Sequence, residues 1–257
     1  MKLSQIKEIT LSLLDTFKNA GNIALELRKK GLKKEIKSDN TPVTNGDIEV
    51  NNILTKKIST LTPEIPIISE ETSSNKKNGN LNNFWLIDPI DGTSSYINNK
   101  DEFTINAALI INKKPVLGVI NAPDKKRLFY SYAPSNSFEI VNNHEINLIN
   151  QKKKNINLIT AVSYSNELKP DILKLHKEFK VNKYQKMKSS LKFCVIAAGE
   201  FDLYIAEPRA YEWDIAAGHA ILEHAGGKLT DFNGKQILYG KPEFKNPSLI
   251  LQGKNIL

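Results

Sequence analysis

The sequence predicts a layered α/β protein, α+β in its first half and α/β in its second. Ile6, Ile9, Leu13, Phe17, Ala20, Ala24 and Leu27 recur at three- and four-residue intervals. That spacing marks one face of a long amphipathic helix ending near Gly31. FTINAALII, PVLGVINA and RLFYSYA, between residues 103 and 133, are strand-like runs broken by turn residues. From residue 158 onward strand and helix patterns alternate, the signature of an α/β arrangement.

The remaining elements follow in order. Asp47 introduces IEVNNILTKKIS, where Ile48, Leu54 and Ile58 predict a second helix reaching about Ser59. Ile65 to Ile68 reads as a short strand, with Glu70 and Glu71 just beyond it. TSSNKKNGNLNN is a polar loop, and Trp85 to Ile87 delivers the chain to Asp88. A lysine- and asparagine-rich passage, Asn150 to Asn157, is the candidate boundary between halves 1–150 and 151–257 of one compact unit. Beyond it come a strand (LITAVS), a helix entered near Pro170, and a helix over SSLKFCVIAAGE. A strand (DLYIA) follows, then a helix over DIAAGHAILEHAGG stopped by Gly226 and Gly227. No internal repeat is present.

Composition narrows the class. The 257 residues are 40% hydrophobic and 25% charged, enough to bury a sizeable core. The start is polar and amphipathic, which argues against a signal peptide, and no apolar stretch approaches the ~20 residues that span a bilayer. One cysteine, Cys194, excludes an intramolecular disulfide framework and suits a reducing cytoplasm. The net charge of +8 comes from lysines spread along the chain, with small clusters at Lys33–Lys34 and Lys152–Lys154. Such lysines read as solvated faces rather than a polyanion groove, and no aromatic-rich basic motif accompanies them. A small anionic substrate fits this charge, and no stable nucleic-acid complex is expected.

The stretch WLIDPIDGTSSYI carries the chemistry. Asp88 and Asp91 stand three apart around Pro89, which fixes its own φ and stiffens the expected turn. A stiff turn can aim both carboxylates and the Ile90 carbonyl at one point, where a hard cation such as Mg²⁺ takes oxygen ligands. Gly92 and Thr93 open a short helix whose free N–H groups favour a phosphate oxygen. The competing reading is an N-cap with a turn acid, and the motif alone leaves both open. Glu70, Asp47 and Asp214 also stand at apparent element ends, although spacing cannot prove that they converge. The aspartate spacing is not D-x-D-x-T, Cys194 lacks a Cys-x₅-Arg loop, and no phosphate-binding G-x₄-G-K-[ST] loop is present. The four histidines lack zinc-ligand spacing.

WLIDPIDGT, the upstream ISEE and the downstream EWDIAAGHAILEHAGG together resemble the inositol monophosphatase family, from PVTNGD near residue 45 to the last glycine-rich helix. The resemblance implies a five-layer αβαβα sandwich of the inositol monophosphatase and fructose bisphosphatase type. It implies Glu70, Asp88, Asp91, Asp214 and the Ile90 carbonyl as ligands of two or three Mg²⁺ ions. It implies that Asp47 and Thr93 orient the attacking water, and it leaves Glu71 without a role. Five clustered carboxylates would carry about −5, a charge that raises carboxylate pKa values unless cations enter. Direct in-line attack by a metal-activated water then needs no protein nucleophile.

Within the family, SSLKFCVIAAGEFDLY, DEFTINAALI and PVLGVINAP are similar to the bisphosphate-nucleotidase branch. This implies removal of the 3′-phosphate of adenosine 3′,5′-bisphosphate, with Ser190 and Lys192 as nucleotide contacts. Glu70, Ile90, Asp91, Gly92, Thr93 and Asp214 would also touch the substrate. That branch often carries an arginine two residues after the tyrosine, where this chain has Ala206; Arg209 is the shifted candidate. Glu207 falls where inositol monophosphatases place an acid toward the sugar hydroxyls, so an inositol-phosphate substrate is the alternative. A fructose bisphosphatase-like activity and a non-catalytic nucleotide- or RNA-binding relative rank below it. A homodimer and peripheral association at the inner membrane are compatible with these readings.

Overall fold

The computed structural model describes residues 1–36, 41–72, 81–151 and 158–257. Most of the polar loop, the lysine run 152–154 and most of the expected boundary passage therefore lie outside the described residues. The chain runs α1 (Leu3–Lys30), β1 (Lys34–Ile36), β2 (Pro42–Thr44), α2 (Asn45–Leu61), β3 (Ile67–Ser69), β4 (Phe84–Asp91) and α3 (Thr93–Ile97). It continues through β5 (Thr104–Ile111), β6 (Lys114–Ala122), β7 (Arg127–Ala133), β8 (Asn136–Val141), β9 (His144–Asn147), β10 (Ile159–Ser163), α4 (Pro170–Glu178) and β11 (Val181–Lys186). The last elements are α5 (Leu191–Ala197), β12 (Leu203–Ala206), α6 (Glu212–His224), β13 (Lys228–Thr230) and β14 (Leu249–Gln252).

The first half builds a seven-stranded sheet in sequential order, β3 to β9. β3 lies parallel to β4 and the rest is an antiparallel meander. Because side chains alternate along a strand, both faces of this sheet are apolar. Trp85, Ile87, Ile105, Leu109 and Val119 face α1 and α2. Phe84, Leu86, Ile110, Ile120 and Phe129 join α5 and α6 on the other side. The second half builds a five-stranded sheet in the order β11-β10-β12-β14-β13. β10 is parallel to both β11 and β12. Helix α4 packs on the outer side of this sheet against β11 and β12. The layers are therefore α1/α2, sheet, α5/α6, sheet, α4: the expected αβαβα sandwich.

Helix α1 ends where expected, at Gly31 with φ +98°, a conformation that costs glycine little. The small residues of α6 have a packing reason. A Cβ on Gly118 of β6 would stand 2.3 Å from the Ala217 carbonyl oxygen, so strand and helix touch backbone to backbone. Trp85 is anchored by its indole N–H, which donates to Thr62 Oγ1 at 2.9 Å. At the far end of α6, His224 is buried beside Glu223 and His219, and burial lowers its pKa from 6.5 to about 4.

Candidate active site

Asp88 and Asp91 do not flank a free turn, as the sequence suggested; β4 continues through Asp91. Asp88 pairs with Asn106 and Asp91 with Thr104, so three steps on β4 match two on β5. That extra residue is a β-bulge, and Pro89, with no N–H to give the ladder, sits inside it. The bulge performs the re-aiming assigned to the turn. Ile90 N–H donates to Asp88 Oδ1 at 3.1 Å, and Thr93 Oγ1 donates to the Ile90 carbonyl at 3.0 Å. Gly92, at φ +88°, lets the chain leave the strand and enter α3.

Parallel pairing brings Glu70 alongside. Ser69 stands opposite Ile87, and Glu70 N–H donates to the Ile87 carbonyl at 3.1 Å. The third acid comes from the other half. Asp214 lies in the first turn of α6 rather than opening it, and accepts from Tyr211 N–H at 2.8 Å. Glu70, Asp88 and Asp214 offer carboxylate oxygens that all lie within 4.8 Å of one another. Asp47 occupies the equivalent place in α2 and accepts from Thr44 N–H at 2.8 Å and Thr44 Oγ1 at 2.6 Å. Its other oxygen lies 3.5 Å from Thr93 Oγ1. Asp214 thus does both jobs that the sequence left open, capping its helix and lining the cleft, while the buried Asp47 caps α2 and reaches the cleft through Thr93. Capping satisfies the free N–H groups of a first turn.

Burial is the main electrostatic fact. Asp88 and Asp214 are held well above the usual carboxylate range, first by burial and then by each other's neighbours: Glu70 and Asp91 act on both. Burial also raises Asp91, against the pull of Lys192 and the Ser190 N–H, and raises Asp47 to about 6. An all-oxygen donor set of buried, mutually repelling carboxylates fits a hard divalent cation and offers nothing soft to a thiophilic one.

The sequence profile of the inositol monophosphatase family matches residues 5–255. The chain belongs to this family. It is 38% identical over 231 residues to "3'(2'),5'-bisphosphate nucleotidase CysQ" of Buchnera aphidicola subsp. Acyrthosiphon pisum, covering 86% of this chain and 84% of that one. The protein of the same name from Escherichia coli K12 is 33% identical over 235 residues, covering 90% and 94%. Among solved structures, CysQ from Bacteroides thetaiotaomicron superposes with a TM-score of 0.77 at 27% identity, covering 95% and 97%. A dual-specific IMPase/NADP phosphatase bound with D-inositol-1-phosphate shares the fold, with a TM-score of 0.76 at 22% identity and coverage of 99% and 93%.

In this member of the inositol monophosphatase family, the acids form one end of a cleft of about 500 Å³ that also includes Ile90, Gly92, Thr93 and Arg209. Ser190 N–H donates to Asp91. The Ser190 hydroxyl donates to Asn106 Oδ1 at 2.8 Å and lies 2.9 Å from Thr104 Oγ1. Lys192 is buried; its ammonium turns to the Ser189 carbonyl and sits 5.2 Å from the Tyr204 ring. Burial lowers its pKa to about 8, against the opposing pull of Asp91. Ser190 and Lys192 thus stand behind Asp91, not out in the open cleft. Glu207 is ion-paired with Lys169. Sequence reasoning missed Asn106, legible only through its register opposite Asp88, and the exposed Tyr164 with Lys188, which carry no motif at all. A second cavity of about 420 Å³ adjoins the cleft across Tyr164 and Arg209.

Proposed function

We propose that the protein is a Mg²⁺-dependent phosphomonoesterase that removes the 3′-phosphate of adenosine 3′,5′-bisphosphate, giving AMP and phosphate. The observation that carries this reading is the convergence of Glu70, Asp88 and Asp214 within 4.8 Å beside the Asp47–Thr93 pair. The similarity to nucleotidases over most of the chain supports the substrate class. Glu207, the acid that an inositol-phosphate reading needs, is instead engaged by Lys169.

Glu70, Asp88, Asp91, Asp214 and the Ile90 carbonyl would hold two or three ions. Magnesium, when bound, supplies positive charge to phosphate and leaving-group oxygens and acidifies water. The protein's own part is positioning. Thr93 Oγ1, between the Ile90 carbonyl and Asp47, holds the attacking water, and Asp47 takes up its proton. A carboxylate at about 6 suits that task near neutral pH. Gly92 and Thr93 receive phosphate oxygens at the start of α3. The P–O3′ bond breaks opposite the incoming water, and the departing ribose oxygen takes a proton from solvent water. Ser190 and Lys192 steady Asp91 from behind.

No helix among the described residues is long and apolar enough to cross a membrane. The reading adopts a cytoplasmic enzyme acting on a small phosphorylated substrate, with a homodimer as the assembly to test. The experiment is phosphate release with Mg²⁺ from adenosine 3′,5′-bisphosphate, inositol 1-phosphate and fructose 1,6-bisphosphate, with Asp88→Asn as control. Preference for the nucleotide, lost in the control, is the expected result. Preference for inositol 1-phosphate would sink the nucleotidase reading while keeping the acid site.

A further inference from the structure

We propose that Tyr96 is a positioning residue for the reaction: it holds Thr93 of α3 against Asp47 of α2 at the separation that seats the attacking water. This rests on the reading above, in which that pair places the water, and names the side chain that sets the pair's geometry.

The pair needs such a brace. Thr93 and Asp47 come from different elements, 46 positions apart, and their side chains approach to 3.5 Å, at the outer limit of a hydrogen bond. Asp47 is fixed on its own side by Thr44, and Thr93 leans on the Ile90 carbonyl at 3.0 Å. The gap between them therefore depends on where α3 lies against α2. A helix of five residues is too short to hold its own position. Tyr96 stands about one turn on from Thr93 in that helix and is fully buried. Its hydroxyl donates to the Ala24 carbonyl of α1 at 2.6 Å. Its ring packs on Phe103, with centroids 4.9 Å apart, and the Arg28 guanidinium carbon lies 5.6 Å from its centroid. Arg28 is itself held by a bidentate pair with Asp124, at 2.6 and 2.9 Å.

The contact that decides the role is with Gly46, the residue before Asp47. A Cβ there would stand 2.5 Å from the Tyr96 hydroxyl oxygen and 2.8 and 2.9 Å from two of its ring carbons. Glycine weakens the first turn of α2, and no positive φ asks for it. What asks for it is the phenol, pressed against the backbone that carries Asp47. The side chain cannot step aside, because its hydroxyl is tied to α1 and its ring lies between Phe103 and Arg28. Burial and the nearby Asp47 charge raise the phenol's pKa, so it stays a donor to Ala24 at neutral pH. Helices α1, α2 and α3 thus meet at one side chain, which spans from the turn bearing Thr93 to the turn bearing Asp47.

The test measures kcat and KM for adenosine 3′,5′-bisphosphate with Mg²⁺ in wild type, Tyr96→Phe and Gly46→Ala, each alone and combined with Thr93→Val. Tyr96→Phe keeps the ring and removes its tie to α1, whereas Gly46→Ala drives the ring away from Asp47. Each should lower kcat about ten- to a hundredfold, the cost of misplacing a reacting group by up to an ångström, and leave KM within about twofold of wild type. Beside Thr93→Val neither should lower kcat further, because the water seat is already gone. Calorimetry gives a readout without turnover: Tyr96→Phe should bind Mg²⁺ as wild type does, since the acid cluster is untouched. A wild-type kcat in Tyr96→Phe, a loss that persists in full beside Thr93→Val, or weakened Mg²⁺ binding overturns the proposal. Failure of the functional reading looks different: wild type itself prefers inositol 1-phosphate. The same comparison on that substrate then still decides the role of Tyr96.

Discussion

Stripped of metal, the protein should be stabilised by removing one of its own buried acids: Asp88→Asn should unfold less readily than wild type at pH 7.5.

 Burial and the neighbouring carboxylates disfavour the Asp88 charge, and asparagine keeps the shape without it. Asp47 sets the scale. Its rise from 3.8 to about 6 is about 2 units, which at 1.36 kcal/mol per unit costs about 3 kcal/mol at neutral pH. A raised carboxylate pKa means that the folded state holds its proton more tightly. The stability is therefore complete below 3.8 and lost as pH climbs through about 6. Asp88 and Asp214 act in the same direction. His224 opposes them: neutral in the fold, it contributes stability above 6.5 that is lost as pH falls toward about 4, again about 3 kcal/mol. Comparing wild type with Asp88→Asn cancels the His224 contribution. The assay is urea denaturation in chelator, followed by the fluorescence of the buried Trp85 and Trp213. The variant should be the more stable of the two at pH 7.5, and the difference should shrink as the pH falls. With saturating Mg²⁺ the order should reverse, because wild type alone gains full binding energy. A variant less stable than wild type in chelator at pH 7.5 would refute the reasoning.

Three further outcomes follow from the packing and the site. Asp214→Asn should lower kcat/KM about a thousandfold, and chelation should match it until Mg²⁺ is restored, as phosphate release will show. Gly118→Ala should cost at least about 1–3 kcal/mol in urea, because the new methyl meets the Ala217 backbone and must push α6 from β6. Glu212 is fully buried and accepts from Gly240 N–H and Lys241 N–H, both at 2.9 Å, and from the Lys241 ammonium at 2.6 Å. Glu212→Ala should therefore lose about 3–5 kcal/mol in thermal unfolding, with those donors left unpaired.

The acids were legible because their chemistry constrains their neighbours: a proline, a glycine and a helix start surround Asp88 and Asp91. The same holds for α1 and β5 to β7, where a long apolar period survives. The hairpin β8–β9 was passed over although its turn is written in the chain. Asn142 and Asn143 both adopt positive φ, +49° and +63°, which asparagine tolerates better than most residues. Strand β11 was invisible for another reason: VNKYQK is an exposed edge with almost no buried face to impose a period. Tyr164 and Lys188 were equally silent, since they reach the cleft only where strand ends meet, and no local pattern encodes that. The bulge in β4 looked like a turn because proline marks both, and only the pairing with β5 distinguishes them.

The placement of Asp214 on α6, between the two sheets, bears on the order in which the site can come into being. Glu70, just past β3, and Asp88, within the neighbouring β4, leave the ribosome more than a hundred residues before Asp214. A nascent chain halted ahead of α6 would present these acids without the partner that closes the cluster. Strong metal capture would then begin only when α6 docks, making it a timer for assembly of the whole sandwich.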